Sequence, residues 1–482
     1  MNYKLVFHIL GMILRVEAVL MLPAMLIGLV TGGGDAKAFL MAAVVTFLVG
    51  HGLTLLPRQA VKMQARDGFA TVALTWIVLS LFGALPYVFS GVIPNYIDAV
   101  FETVSGFTTT GATVLTFMEG QPRGILFWRS QTQWMGGVGV LVLALALVPK
   151  LGEGSVYLMR AESPGPIKSK LTPRINDTAK ILYSIYIGLT AAETICLRLA
   201  GMSWYDAIVH SFTTISTGGF SPMNASVAAY DSMVIDWIII VFMFLSGVNF
   251  SLLFFALRRN FKAVFESEEL RCYTWMTIIA SALIVVSLVI QAGWLFDLKT
   301  ITDAVFQVVT LMTTTGYMTS DYVLWPTTAQ MVLVMVMFAG ACAGSTAGGV
   351  KQIRVILLMK NLKRDVQRIL RPRQVTVIKS DGERVDESTL SSISLFFFAY
   401  ILLLLLGMLV VSWDNIGIEA AFGASLTCIS NVGPGFGILG PTGNFSALSA
   451  VSKVVLSCSM LLGRLEILPL LLLLYPALWK KN

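Results

Sequence analysis

The sequence predicts an all-α integral membrane protein with four helix–pore-loop–helix repeats preceded by two extra N-terminal transmembrane helices. Three observations carry that expectation: an apolar composition, ten apolar runs of membrane-crossing length, and a short semi-polar segment that recurs four times between them. Of 482 residues, 56% are hydrophobic and only 13% charged, with a mean hydropathy of +0.78, which excludes an ordinary soluble enzyme. At about 20 apolar residues per spanning helix, the chain has room to cross a bilayer about ten times.

The net charge of +7 sits in short basic blocks between apolar runs rather than on a soluble domain, so topology and lipid headgroups explain it and nucleic acid does not. Cys196, Cys272, Cys342, Cys428 and Cys458 are scattered, with no CxxC spacing, and there are three histidines. Neither a disulfide framework nor a zinc site is indicated. Lys4 precedes an apolar run ending near Val30, but the run's length, and Arg15 and Glu17 inside it, fit a retained spanning helix better than a cleavable signal.

The apolar runs lie at 5–31, 37–57, 69–92, 125–149, 180–200, 233–257, 274–297, 329–359, 391–412 and 451–479. Each is long enough to cross about 30 Å of hydrocarbon at about 1.5 Å per residue. Between alternate pairs stand YIDAVFETVSGFTTTGA (96–112), WYDAIVHSFTTISTGGF (204–220), ITDAVFQVVTLMTTTGY (301–317) and GIEAAFGASLTCISNVGP (417–434). These are too short and too rich in Thr, Ser and Gly to span. Each opens on an acidic residue before alanine (Asp98, Asp206, Asp303, Glu419), the charge a helix start favours, and closes on glycine. The organisation is two N-terminal helices (1–66), then repeats over 67–150, 151–262, 263–375 and 376–482.

The basic connections carry Arg58, Lys62 and Arg66, then Lys150 to Lys180, then Arg258, Arg259, Lys262 and Arg271, then Lys351 to Arg373. They fall on one side with both termini, while the other side has isolated bases such as Arg123 and Lys299. The basic side is therefore expected to be cytoplasmic, and the four re-entrant loops enter from outside.

Non-helical backbone at membrane depth is tolerated only where protein or a water-filled path surrounds it. Four converging loops supply a ring of carbonyls, the arrangement that replaces the hydration shell of K⁺, with glycine where the backbone takes φ > 0. The tails are TTTGA (108–112), STGGF (216–220), TTTGY (313–317) and SNVGP (430–434). Ungapped register aligns Gly111, Gly219 and Gly316; Gly433 needs one inserted residue, and Gly218 competes in repeat two. A small-residue helix contact is the rival reading of any single tail. Recurrence in the same place of four repeats argues against it.

The chain resembles the TrkH branch of the bacterial Trk/Ktr/HKT potassium-transporter superfamily. The resemblance covers essentially the whole length and rests on the two extra N-terminal helices, RAESPGPIKSKLTPRI (160–175), AGACAGSTAGGVK (339–351), SNVGPGFG (430–437) and SMLLGRLEI (459–467). It implies a single pseudo-fourfold pore, with potassium at a filter of Gly111, Gly219, Gly316 and Gly433 and the residues before them, Thr110, Gly218, Thr315 and Val432. Three tails depart from the TVGYG type, which implies looser K⁺/Na⁺ discrimination and room for Rb⁺.

The small-residue stretch 339–350, containing Gly344, Ser345, Thr346, Gly348 and Gly349, is a poor helix, since glycine costs about 1 kcal/mol relative to alanine. The resemblance implies an intramembrane gating loop there. Arg464 inside an apolar run costs at least about 2.5 kcal/mol and faces protein or a cavity; the resemblance implies a barrier below the filter. An ion pair with Glu466 or a carbonyl contact is the structural alternative. His210 reads as a packing or hydrogen-bonding residue.

The resemblance further implies a homodimer in the bacterial inner membrane, a TrkA-like cytoplasmic ring that binds nucleotide, and potassium as substrate with no covalently bound cofactor. The chain has no G-x-G-x-x-G after a strand, so nucleotide belongs to the partner. An intramembrane enzyme is the rival from another class, but neither HExxH nor paired acids on spanning runs are present. The reading is K⁺ transport, not enzymatic, with channel against H⁺-coupled symport left open and a KtrB-like Na⁺-dependent transporter as the alternative.

Overall fold

The computed structural model describes residues 3–55, 64–137, 139, 175–374, 376–473 and 476. The stretch 160–174, most of the basic segment from Lys150 to Lys180, and Arg58 and Lys62 lie outside them. Among the described residues the chain is helical apart from turns, loops and one short hairpin, and the ends of the four pore segments contact one another in turn.

Two N-terminal elements precede the repeats. Tyr3–Leu20 and Leu22–Thr31 form one span, broken at Met21 just before Pro23, and Ala36–Thr54 returns antiparallel to it. The pair approaches closely at Gly11 and Gly50. A Cβ on Gly11 would lie 2.6 Å from the Gly50 carbonyl oxygen, and one on Gly50 2.8 Å from that of Gly11. Only small residues let backbones meet this way, which in lipid is a main source of helix association. Asp35, buried between the two, accepts the Ile125 N–H at 3.1 Å. Ile125 lies in the first turn of the helix Arg123–Gly137, where a carboxylate is favoured by the helix dipole.

Each repeat has an outer helix, a pore helix and an inner helix. The outer helices are Ala65–Gly83, Ile175–Leu199, Glu268–Gln291 and Glu387–Val411; the pore helices are Tyr96–Phe107, Trp204–Ile215, Leu298–Met312 and Ile418–Ser430. The inner helices start at Arg123, Met233, Thr327 and Ala450.

The structure divides three of the ten apolar runs, and residues 138 and 140–149 of the run 125–149 lie outside the described residues. Six helices among the described residues are long and apolar enough to cross alone, or seven if a pair bent by 103° is one span. That pair, Met233–Ser246 and Phe250–Leu257, divides the run 233–257 at Gly247–Asn249, where the Asn249 side chain caps the second helix by accepting the Ser251 N–H at 2.8 Å. The run 329–359 divides into Thr327–Ala339 and Gln352–Leu370, as its composition predicts. The run 451–479 is interrupted after Arg464, where Glu466 and Ile467 take φ of 57° and 68° before Leu468–Leu473 is helical again. Apolar composition records burial in lipid or protein, and it is blind to backbone breaks that side chains cap locally.

A correction concerns Asp303. The third pore helix starts five residues earlier, capped by Asp297 accepting the Thr300 N–H at 2.8 Å, and this bond holds the Asp297 carboxyl below its usual range. Asp303 is therefore beyond the first turn, buried beside Lys299 at 3.1 Å. Asp98, Asp206 and Glu419 do lie in the first turns of their helices. The hairpin Lys379–Ser380 with Glu383–Arg384 closes through Asp381 and Gly382, both with positive φ, the Asp-Gly pattern of a tight turn.

Candidate ion-conduction site

Each pore helix ends the same way, and this ending builds the site. Thr109, Thr217 and Thr314, one residue past the helix cap, and Asn431, the cap of its helix, take φ of 55°, 56°, 58° and 56°. The next amide then reaches back: Thr110 N–H to Ser105 O at 2.9 Å, Gly218 to Thr213 at 2.8 Å, Thr315 to Thr310 at 2.8 Å and Val432 to Thr427 at 3.0 Å. This is the left-handed closure that glycine usually supplies at a helix C-terminus. Threonine there is strained, at a cost of order 1–3 kcal/mol per residue.

Two residues later Gly111, Gly219, Gly316 and Gly433 again have positive φ, of 85°, 76°, 83° and 104°. The intervening Thr110, Gly218, Thr315 and Val432 do not. Alternation of this kind turns successive carbonyls toward one side, whereas an ordinary strand alternates them. In repeat two the second positive φ belongs to Gly219, and Gly218 occupies the place of Thr110, Thr315 and Val432.

The four tails close into a ring. A Cβ on Gly111 would lie 2.3 Å from the Gly218 carbonyl oxygen, one on Gly219 1.9 Å from Thr315 O, one on Gly316 2.1 Å from Val432 O, and one on Gly433 2.7 Å from Thr110 O. Each glycine thus backs onto the carbonyl of the next repeat, in the order one, two, three, four, one. No larger residue fits. The same four glycines line a cavity of about 260 Å³, with Thr113, Ser221, Asn224, Ser226 and Asn444 among its polar walls.

Buried contacts between repeats hold the ring. Arg129 on the first inner helix pairs with Glu102 at 2.7 Å, lies 3.8 Å from the centroid of the Phe220 ring and donates to Ser221 O at 3.4 Å. Glu102 also accepts from Thr113 Oγ1 and the Val114 N–H, each at 2.9 Å. Asn431 donates to Thr110 Oγ1 at 3.0 Å and to Met460 O at 2.9 Å. Tyr317 hydrogen-bonds the Thr213 hydroxyl and donates to His210 O at 3.1 Å. His210 itself spans Asp206 O at 2.8 Å and Ser221 Oγ at 3.2 Å, a hydrogen-bonding role.

Against the helix ends, on the side away from the cavity, lies the loop between Ala339 and Gln352. Its neck is pinched where a Cβ on Gly349 would come 3.0 Å from Gly340 Cα. Thr346 Oγ1 donates to Ile215 O at 3.0 Å and to Ser246 O at 3.2 Å. The Gly348 N–H donates to Thr314 Oγ1 at 2.7 Å and the Gly349 N–H to Ser430 O at 2.9 Å. Thr346, Gly348 and Gly349 therefore touch repeats two, three and four. Gly344 meets repeat two away from its pore-helix end, its O accepting the Phe250 N–H at 3.0 Å, while the Ser345 hydroxyl turns back to Cys342 O at 2.6 Å. At the loop's far shoulders Glu269 Oε1 accepts the Ala343 and Ile353 N–H groups at 2.7 and 3.1 Å.

Arg464 connects this loop to repeat one. Its guanidinium donates to Thr346 O at 2.7 Å and to Gly136 O and Gly137 O, both at 2.6 Å. The carbonyl contact, one of the two structural alternatives, is present. Glu466 instead pairs with Arg354 on the helix that follows the loop.

Sequence reasoning did not single out Gln133, Glu102, Arg129, Thr314 or Glu269. The polar run RSQTQ (129–133) inside an apolar segment was the available signal for the first inner helix. No cluster of three His, Cys, Asp or Glu suited to a metal exists among the described residues.

The chain is similar to known proteins over essentially its whole length. Residues 35–481 match the TrkH family, described as cation transport protein. The Trk system potassium uptake protein TrkH of Halomonas elongata is 39% identical over 492 residues, and that of Escherichia coli K12 is 38% identical over 486, with all of each chain covered. The crystal structure of the potassium transporter TrkH from Vibrio parahaemolyticus superposes with a TM-score of 0.89 at 35% identity over the whole of both chains. Full-length similarity of sequence and fold makes this chain a member of the TrkH family of cation transport proteins.

Proposed function

We propose that this chain is the ion-conducting membrane subunit of a Trk-type potassium-uptake system. The observation that carries the reading is the cyclic contact of Gly111, Gly219, Gly316 and Gly433 with the carbonyls of Gly218, Thr315, Val432 and Thr110. A ring of carbonyls on a positive-φ backbone is the chemistry that takes K⁺ from its hydration shell. Full-length relatives named as potassium uptake proteins support the choice of ion. The filter is then Thr110–Gly111, Gly218–Gly219, Thr315–Gly316 and Val432–Gly433. The 340–351 loop and Arg464 form the obstruction beneath it, supported by bonds from that loop to the ends of pore helices two and four and to the third filter tail, and through Arg464 to repeat one.

By the same reading the protein lies in a bacterial inner membrane with both termini cytoplasmic and works as a homodimer. It carries no cofactor, and a nucleotide-binding TrkA-like ring gates it from the basic side. The test is electrical recording of purified protein in bilayers under imposed K⁺ and H⁺ gradients. A reversal potential that follows K⁺ alone supports a channel; one that shifts with the proton gradient makes it a symporter. Absence of any K⁺ current or flux in folded protein sinks the proposal. K⁺ flux measured with and without Na⁺ separates the KtrB-like alternative.

A further inference from the structure

We propose that Gln133 is a positioning residue for ion selectivity, a side-chain amide that replaces in repeat two the brace that threonines supply in repeats one and three. The inference rests on the filter reading and deepens it. Gln133 lies on the first inner helix and is 0% exposed. Its Nε2 donates to Gly218 O at 2.6 Å and its Oε1 accepts the Phe220 N–H at 3.0 Å, so the amide straddles Gly219. A backbone carbonyl only accepts and a backbone N–H only donates, so these two partners fix which end of the amide is nitrogen.

Repeats one and three do the same job from within. Thr110 Oγ1 hydrogen-bonds Thr108 Oγ1 at 2.8 Å, and Thr315 Oγ1 hydrogen-bonds Thr313 Oγ1 at 2.8 Å. In each the hydroxyl behind the filter strand ties it to the end of its own pore helix. Repeat two has Gly218 at that place and so has no such hydroxyl. The reason is steric: a Cβ on Gly218 would lie 2.4 Å from Gln133 Cδ. The glycine and the glutamine therefore form one unit, and the sequence difference between STGGF and TTTGY is its visible half.

The chemical consequence concerns field strength. Gly218 O is both the oxygen that backs onto Gly111 and the oxygen that takes the Gln133 N–H. A carbonyl already bound to a donor is held in orientation and shares its lone-pair density, and the number, orientation and field of carbonyl dipoles decide discrimination among cations. Gln133 thus sets one quadrant of the ring.

The experiment compares K⁺/Na⁺ permeability ratios of purified variants in liposomes. Gln133→Met keeps volume and removes both bonds; the ratio is expected to fall at least threefold. Gln133→Ala with Gly218→Thr installs the threonine brace where the clash has been removed, and is expected to return the ratio to within twofold of the parent. Gly316→Ser, remote from Gln133, is the control for the filter itself. An unchanged ratio in folded Gln133→Met, with Gly316→Ser shifted, overturns the positioning role and leaves the filter reading intact. If neither shifts, the filter reading fails with it. A reduced ratio that the double variant does not restore overturns the brace. Should Gln133→Met fail to fold, the double variant alone decides: a parental ratio supports the exchange and a lowered one refutes it.

Discussion

Arg464 and Thr346, 118 residues apart, are joined directly: the arginine Nη1 donates to the threonine carbonyl at 2.7 Å. The same guanidinium reaches Gly136 and Gly137 of the first inner helix. One side chain therefore ties the loop at the pore-helix ends to repeat one.

Removing that tie should open the path. Arg464→Ala is expected to raise K⁺ flux about tenfold in liposomes, the population change that about 1.4 kcal/mol produces. Arg464→Lys, a point charge without the planar fork, should give an intermediate rate. Unchanged flux with a lowered melting temperature would instead make Arg464 a structural cross-link.

Thr314 offers a separate handle on the loop, because its hydroxyl accepts the Gly348 N–H at 2.7 Å. Thr314→Val leaves a buried N–H unpaired, at a cost of about 1–3 kcal/mol borne by the closed loop. Open probability in single-channel records should rise at least fivefold. No change would show that this bond does not hold the loop.

Gly111→Ser meets two obstacles, a φ of 85° and a carbonyl 2.3 Å from the new Cβ. The K⁺/Na⁺ permeability ratio should drop at least tenfold, or K⁺ uptake should fail. A parental ratio in purified, folded protein would falsify the place of Gly111 in the filter.

The Glu102–Arg129 pair, 0% and 2% exposed, is the most buried ion pair among the described residues. Breaking one partner of such a pair costs about 3–5 kcal/mol, while replacing both with apolar residues costs less. Glu102→Gln should lower the melting temperature in detergent more than Glu102→Leu with Arg129→Met. The reverse order would mean that the pair contributes net stability.

How far the fold was legible depended on which signal each part leaves. Helix–loop–helix repetition was legible because four pore segments had to solve one problem and kept one pattern. The register of Gly111, Gly219 and Gly316 followed from equal spacing, but the choice between Gly218 and Gly219 needed the backbone: spacing counts residues and does not report φ. The break at Gly247–Asn249 was hidden because Asn249 caps its own helix inside an apolar run. Asp303 misled because an acidic residue before alanine resembles a helix start even when Asp297 has already made one. Glu466 could not be assigned to Arg354 from the sequence, since the two lie 112 residues apart and meet only after the third and fourth inner helices have both broken.

The order one, two, three, four, one in which the tails close has a genetic meaning. In a channel of four identical subunits, a single codon change strikes every quadrant at once. Here each quadrant is encoded separately, so one substitution alters one side of the aperture and leaves three as they were. Asymmetry can therefore accumulate one quadrant at a time. Asn431 and Val432 in place of threonines in the fourth tail, and Gly218 in the second, are positions where the four copies already differ.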